Sequence, residues 1–258
     1  MHTCYRFFGG LGGDVLRYTF TSPPLATMNS AEHYFCSSSL WGYLTRRQLL
    51  PWLLSGARLG EHVLELGAGY GAATAALGNR VSRVTSLDYD AASIQRLRSK
   101  HGGDASAALR GDATRLPFAD ETFTSAVGIL VLHHLQSREL QDRMFAEVFR
   151  VLCPGGVFLA FEITDTWLNR AIHYKSTFTP LTPGSAFARL TSAGFSRVSV
   201  DFRHGGFRLS AARAKQQPVS PEGESAKHAV PSPDSRESVS TSAVPENAST
   251  ATAGGKLP

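Results

Sequence analysis

The apolar run His62-Val63-Leu64-Glu65-Leu66 passes without a break into Gly67-Ala68-Gly69-Tyr70-Gly71. A buried strand that ends in three alternating glycines must turn tightly into the next element, and the missing side chains let a ligand approach the backbone there. Downstream, short apolar runs at 62–66, 83–88, 106–112, 125–132, 156–162, 197–202 and 207–213 alternate with helical stretches near 72–79, 91–101, 139–152 and 185–193. This alternation predicts an α/β fold of βαβ units wound into a mostly parallel seven-stranded sheet with helices on both faces.

The flanks read differently. From Lys215 to Pro258 the chain is rich in Pro, Ser, Ala, Thr and Glu with almost no large apolar residue. Such a tail cannot bury enough surface to offset its ordering entropy, so 215–258 is expected to be disordered. Residues 1–27 are Gly-rich, lack a sustained period and end near Ser22-Pro23-Pro24. They read as a dispensable extension, with Met28 an alternative start of translation. Within 28–60, Trp41, Leu44, Leu49, Trp52 and Leu53 recur at helical spacing, which predicts one or two helices forming a lid on the domain of 61–214.

A net charge of +5 from 26 basic and 21 acidic residues is spread along the chain, without the basic stripe that nucleic-acid binding needs. The three cysteines, Cys4, Cys36 and Cys153, form neither a disulfide framework nor a metal pattern, which suits a reducing cytoplasm. No apolar run approaches the roughly 20 residues that span a bilayer. No nucleic-acid or membrane partner is expected.

The glycine loop alone is ambiguous. Gly67, Gly69 and Ala72 also satisfy a dinucleotide fingerprint, and Asp88 lies about 20 positions beyond them. A nicotinamide-dependent oxidoreductase and a catalytically silent cofactor-binding protein both stay open at this point.

The segments downstream of the loop carry more: Gly111-Asp112-Ala113, then Leu116-Pro117-Phe118-Ala119-Asp120 and Phe123, then Leu132-His133-His134-Leu135, Arg150-Val151-Leu152-Cys153-Pro154-Gly155-Gly156 and Ala193-Gly194-Phe195. In these pieces and their order, residues 62–213 resemble the class I S-adenosylmethionine-dependent methyltransferases, which have a Rossmann-like fold. The likeness is greatest to the small bacterial ubiquinone/menaquinone-biosynthesis-like (type 11) group, and Met28-Asn29, Cys36, Trp41, Leu50-Pro51-Trp52 and Leu59-Gly60 look like the start of one subgroup. Thr124 and Cys153 depart from the family, which commonly has Asp and a basic residue there.

The resemblance implies S-adenosylmethionine as cofactor, with Gly67, Ala68, Gly69 and Gly71 beneath its methionine and ribose and Glu65 near its ammonium or orienting the loop. Asp88, beside Tyr89, would accept both ribose hydroxyls, since Asp90 is better placed to cap the helix that begins at residue 91. Asp112 and the Ala113 N–H would take the adenine edge, and the backbone near Leu130 the amino group. These carboxylates offset a sulfonium and an ammonium, where a dinucleotide's phosphates would be repelled.

Methyl transfer is an in-line displacement in which alignment supplies most of the rate. A hydroxyl acceptor must also lose a proton, and His133 or His134 is the candidate base, with Glu162 on the adjacent strand end as orienting partner. A zinc-like ligand set is not expected from His-His without nearby carboxylates. Tyr34, Phe35 and Trp41 from the lid, with Trp167, His173, Tyr174 and Phe178, suggest a mostly apolar pocket for a small-molecule methyl acceptor.

Overall fold

The computed structural model describes residues 28–100, 106–203 and 205–215. The expectations for residues 1–27 and for all of the tail after Lys215 lie outside the described residues. The described chain opens with four short helical segments: α1 (Ser30–Ser37), α2 (Ser39–Leu44), a π-helical turn over Thr45–Leu49 and α3 (Leu50–Leu53). Asn29 starts α1 with a capping box, its side chain accepting from the Ala31 and Glu32 N–H groups while its own N–H donates to the Glu32 carboxylate.

Next along the chain come β1 (His62–Leu66), α4 (Thr74–Gly78), β2 (Arg83–Asp88), α5 (Ala91–Lys100), β3 (Ser106–Arg110) and β4 (Phe123–Ile129). A 3₁₀ turn (Leu132–His134) leads to α6 (Arg138–Val151), β5 (Leu152–Ile163), α7 (Trp167–Ile172), α8 (Pro183–Ser192), β6 (Ser196–Arg203) and β7 (Gly206–Ala212). The seven strands form one sheet in the order β3-β2-β1-β4-β5-β7-β6. The first five are parallel, and β7 runs antiparallel to both β5 and β6. Strand order reverses between β1 and β4, so the crevice at their carboxyl ends is where this architecture binds ligands.

The side chains alternate across the sheet. Leu64 and Leu66 pack on one face with Phe123, Phe145, Val148 and Phe158, beneath α6 and α8. Val63 points the other way and joins Leu77, Val84, Val127 and Leu159, covered by Leu50 and Leu53 of α3. Both faces are apolar, as a parallel sheet requires. In α6 the buried Met144, Phe145, Val148 and Val151 make the apolar stripe, and Ser137 caps the start by accepting from the Leu140 N–H. Arg213 closes the other end, its guanidinium donating to the Phe149, Arg150 and Leu152 carbonyls.

Several boundaries differ from the sequence expectation. The helix expected over 72–79 is only Thr74–Gly78, because the glycine turn extends through Ala73. The run 125–132 is a strand only to Ile129, since Leu130 takes φ 57° and breaks the ladder before the 3₁₀ turn. The segment after Glu162 contains α7, whose Trp167, Leu168 and Ile172 stay exposed and so leave no burial period to read. At the family departures, the Thr124 hydroxyl accepts from the His62 N–H and donates to the Leu59 carbonyl, while the Cys153 thiol donates to the Glu121 carbonyl. Among the described residues, no helix is long and apolar enough to cross a membrane.

Candidate active site

The carboxyl ends of β1, β2 and β4, the start of α5, the 3₁₀ turn, α1 and α7 enclose a cavity of about 890 Å³. It is lined by Glu65, Gly67, Ala68, Gly69, Asp88 and Tyr89 at one end and by His133, His134 and His173 at the other, with Asp112, Ala113 and Leu130 also in its wall. Two sequence-predicted residues do not line it. Gly71 folds away, its N–H donating to the Ala68 carbonyl within the turn. Glu162 is fully buried behind His133 and does not reach the cavity wall.

At the glycine-loop end, Gly67, Gly69 and Gly71 have φ of 65°, 51° and 79°, the left-handed region that favours glycine. A Cβ at Gly67 would also lie 2.8 Å from Val131 Cγ2. The loop satisfies its own donors. Gly67 and Ala68 N–H groups donate to the Leu87 carbonyl, and the Gly69 N–H donates to Asp88 Oδ2 at 2.7 Å. Asp88 Oδ1 accepts from the Asp90 N–H at 2.8 Å, while Asp90 itself caps α5 through the Ala92 and Ser93 N–H groups. Burial raises the Asp88 carboxyl above its ordinary range, against the opposing pull of these hydrogen bonds.

Glu65 sits deeper. Its Oε2 accepts from the Thr74 and Ser86 hydroxyls at 2.6 Å each, which ties β1 to the start of α4, and burial pushes its carboxyl up to about 7. Asp112 Oδ1 accepts from the Thr114 N–H and hydroxyl at 2.8 Å each, so one oxygen shapes the turn. Leu130 donates its N–H to the Phe161 carbonyl.

At the histidine end the expected histidine–carboxylate contact is present: His133 Nδ1 lies 2.6 Å from Glu162 Oε2. Glu162 Oε1 accepts from the Val131 and Leu132 N–H groups at 3.0 and 2.7 Å. Both oxygens are thereby engaged, and the imidazole is held with Nδ1 as donor. The His134 ring is bonded to the backbone of Thr177, and burial and then the neighbouring His133 and His173 push its pKa well below the ordinary range. His173, bonded through Nδ1 to the Asn169 carbonyl at 2.7 Å, completes a group of three imidazoles. Phe178 stacks on His173 with centroids 4.5 Å apart.

Several residues here escape sequence reading. Glu32, from α1, reaches His173 at 3.2 Å, and His33 Nδ1 meets the Tyr70 hydroxyl of the glycine loop at 3.1 Å. Cys36 also lines the cavity, its thiol pushed up to about 11 by burial and Glu32. The capping-box pattern at Asn29 and Glu32 is a local signal that a helix starts there, but nothing local marks His173. Of the expected aromatic lid, Phe35 and Trp41 line the cavity, whereas Tyr34, Trp167 and Tyr174 point into solvent at 80%, 80% and 69% exposure.

A methyltransferase-domain family matches residues 64–160. A demethylmenaquinone methyltransferase of Beutenbergia cavernae is 36% identical over 143 residues, 54% of this chain and 57% of that protein. A fatty-acid O-methyltransferase of Mycolicibacterium smegmatis is 36% identical over 102 residues, 39% of this chain and 36% of that protein. The chain thus spans about half or less of the length of such relatives. A solved S-adenosylmethionine-dependent methyltransferase of Methanosarcina mazei shares the fold at a TM-score of 0.55 and 20% identity, covering 64% of this chain and 98% of that one. With this sheet order and glycine loop, the chain has the Rossmann-like fold of that methyltransferase, and residues 64–160 match a methyltransferase-domain family.

Proposed function

We propose that the protein moves the methyl group of S-adenosylmethionine to a small, mostly apolar acceptor held between the cofactor and the three imidazoles. One observation carries the choice of cofactor over a dinucleotide: the N–H groups of Gly67, Ala68, Gly69 and Gly71 are all bonded within the protein, to Leu87, Asp88 and Ala68. A pyrophosphate needs those donors free. What remains facing the cavity is carboxylate, from Glu65, Asp88 and Asp112, which suits a ligand carrying a sulfonium and an ammonium and no phosphate.

In this reading Asp88 accepts the ribose hydroxyls while its backbone bonds hold the carboxylate in place, at about 1.5 to 3 kcal/mol per charge-assisted bond. Tyr89 walls the ribose, and Asp112 with the Ala113 N–H takes the adenine edge. Glu65 orients the loop through Thr74, and the backbone at Leu130 receives the amino group. The cofactor supplies an already activated methyl carbon, so residues 28–60, acting as a lid over the domain of 61–214, mainly exclude water and align the acceptor. A hydroxyl acceptor passes its proton to the acceptor-facing nitrogen of His133, whose other nitrogen Glu162 fixes as donor; the buried, neutral His134 is the second candidate. Cys36 and Cys153 are both thiols rather than halves of a disulfide, which favours a reducing compartment, and we place the reaction in a bacterial cytoplasm.

Thermal unfolding tests the reading. Protection by S-adenosylhomocysteine but not by NAD(H) is expected. Protection by NAD(H) would make the loop a dinucleotide site, and protection by neither would leave a silent relative of the enzymes.

A further inference from the structure

The three imidazoles at the acceptor end have a property that proton transfer alone does not require. Each uses one nitrogen on an oxygen or backbone partner: His133 Nδ1 on Glu162, His173 Nδ1 on the Asn169 carbonyl, and His134 on the backbone of Thr177. One ligand nitrogen from each ring lies within 4.8 Å of the other two. The ring centroids are 4.2, 5.0 and 5.8 Å apart. His134 Nδ1 is buried without any hydrogen-bond partner among the described residues. An orphaned buried lone pair is costly unless something occupies it.

The electrostatics at His173 point the same way. With Nδ1 donating to the Asn169 carbonyl, a neutral ring presents the lone pair of Nε2 to Glu32 Oε1 at 3.2 Å, two acceptors face to face. Either a second proton on the ring or a cation beside it resolves this contact. A second proton would leave the His134 lone pair still orphaned. A cation satisfies all of these groups at once.

We propose that His133, His134 and His173 form a binding site for a first-row divalent transition-metal ion of the zinc class, with Glu32 as the adjacent carboxylate and a coordination position open to the cavity. Neutral imidazoles suit this class of ion, and three such ligands with one open position are the pattern of catalytic rather than structural sites. The partners on the far nitrogens, Glu162 above all, are the second set of contacts that orients metal-binding histidines. At metal–nitrogen bonds of about 2.0 to 2.1 Å, tetrahedral geometry brings the nitrogens to roughly 3.4 Å of one another. A rotation of His134, with adjustment of its bond to the Thr177 backbone, supplies much of that contraction.

This site rests on the acceptor-end reading proposed for the enzyme. With the ion bound, the acceptor's hydroxyl or thiol would sit at the open position and release its proton to water, whereas in the metal-free protein His133 takes it. Tag-free protein, stripped with a chelator, is titrated with Zn²⁺ by calorimetry, and Co²⁺ is added in parallel to record visible absorption. S-adenosylhomocysteine affinity is measured on the same samples. One equivalent of Zn²⁺ and intense Co²⁺ bands of low coordination number are expected. His173→Ala and, separately, His134→Ala should weaken Zn²⁺ binding by about tenfold or more while leaving S-adenosylhomocysteine affinity unchanged, which also shows that each variant folds. No Zn²⁺ uptake by the wild type, or equal uptake by wild type and both variants, overturns the site. Loss of S-adenosylhomocysteine binding by the wild type would instead overturn the methyltransferase reading, whatever the metal does.

Discussion

The two ends of the cavity are built by different means. The cofactor end is made from consecutive strand ends, with Glu65, Asp88 and Asp112 each closing or succeeding a neighbouring parallel strand and each bonded to backbone or hydroxyl groups close by in sequence. The acceptor end is assembled from a 3₁₀ turn, the segment around α7 and the first turn of α1, brought together across the fold. In the proposed function the first holds the methyl donor and the second the acceptor. Carboxylate predominates at one and imidazole at the other.

The largest expected effect that sharpens this contrast is at Glu162. Replacing it by Ala removes the acceptor for two buried backbone N–H groups and one ring, at a cost of about 3 kcal/mol or more. Urea unfolding of Glu162→Ala within about 1 kcal/mol of wild type, the scale of one hydrogen bond, would show that the acceptor end is not held as described.

The second concerns the cofactor end. Burial moves Glu65 from 4.5 to about 7 in the folded protein. The unfolded chain loses that proton first, so the native state binds more protons between these values. The stability Glu65 contributes is present in full below about pH 4.5 and is lost as pH rises to about 7, about 3 kcal/mol by the size of the shift. Glu65→Gln should remove this slope from unfolding free energies measured across the window. An identical slope in the variant refutes it.

Third, His133→Ala should lower kcat by about 10²-fold with S-adenosylmethionine affinity intact, once an acceptor is in hand. A raised KM with normal kcat would reduce His133 to a wall of the pocket. The smallest effect is Asp88→Ala, expected to weaken S-adenosylmethionine by about tenfold in calorimetry. Because Asp88 also accepts from the Gly69 and Asp90 N–H groups, its melting temperature should fall as well. Unchanged affinity would remove Asp88 from the cofactor site.

The same contrast explains what could be read from the sequence. Strands 62–66 and 83–88 are legible to the residue, because each carries Val and Leu on both faces of the sheet and is bounded by turn residues. Asp90 is legible as the α5 cap, which leaves Asp88 for another role. The glycine loop's ambiguity cannot be resolved from residue types, since what decides it is where four N–H groups point. The sequence places the end of β4 too late because the positive φ of Leu130 has no signature in an apolar side chain. His173 is invisible in the sequence as a partner of His133: the contact depends on an irregular segment that no periodicity constrains.

Glu162 divides its oxygens in a way that reaches beyond the acceptor end. The carboxylate that holds the Val131 N–H also holds the His133 ring, and Val131 fills the space where Gly67 lacks a Cβ. Four residues thus form an unbroken run of contacts from the His133 imidazole to the glycine loop. Where such contact carries energy it does so in both directions, and whatever factor the cofactor imposes on acceptor affinity the acceptor returns to the cofactor. In the proposed function, the order of binding and release would then be adjustable at Glu162, which lines no part of the cavity.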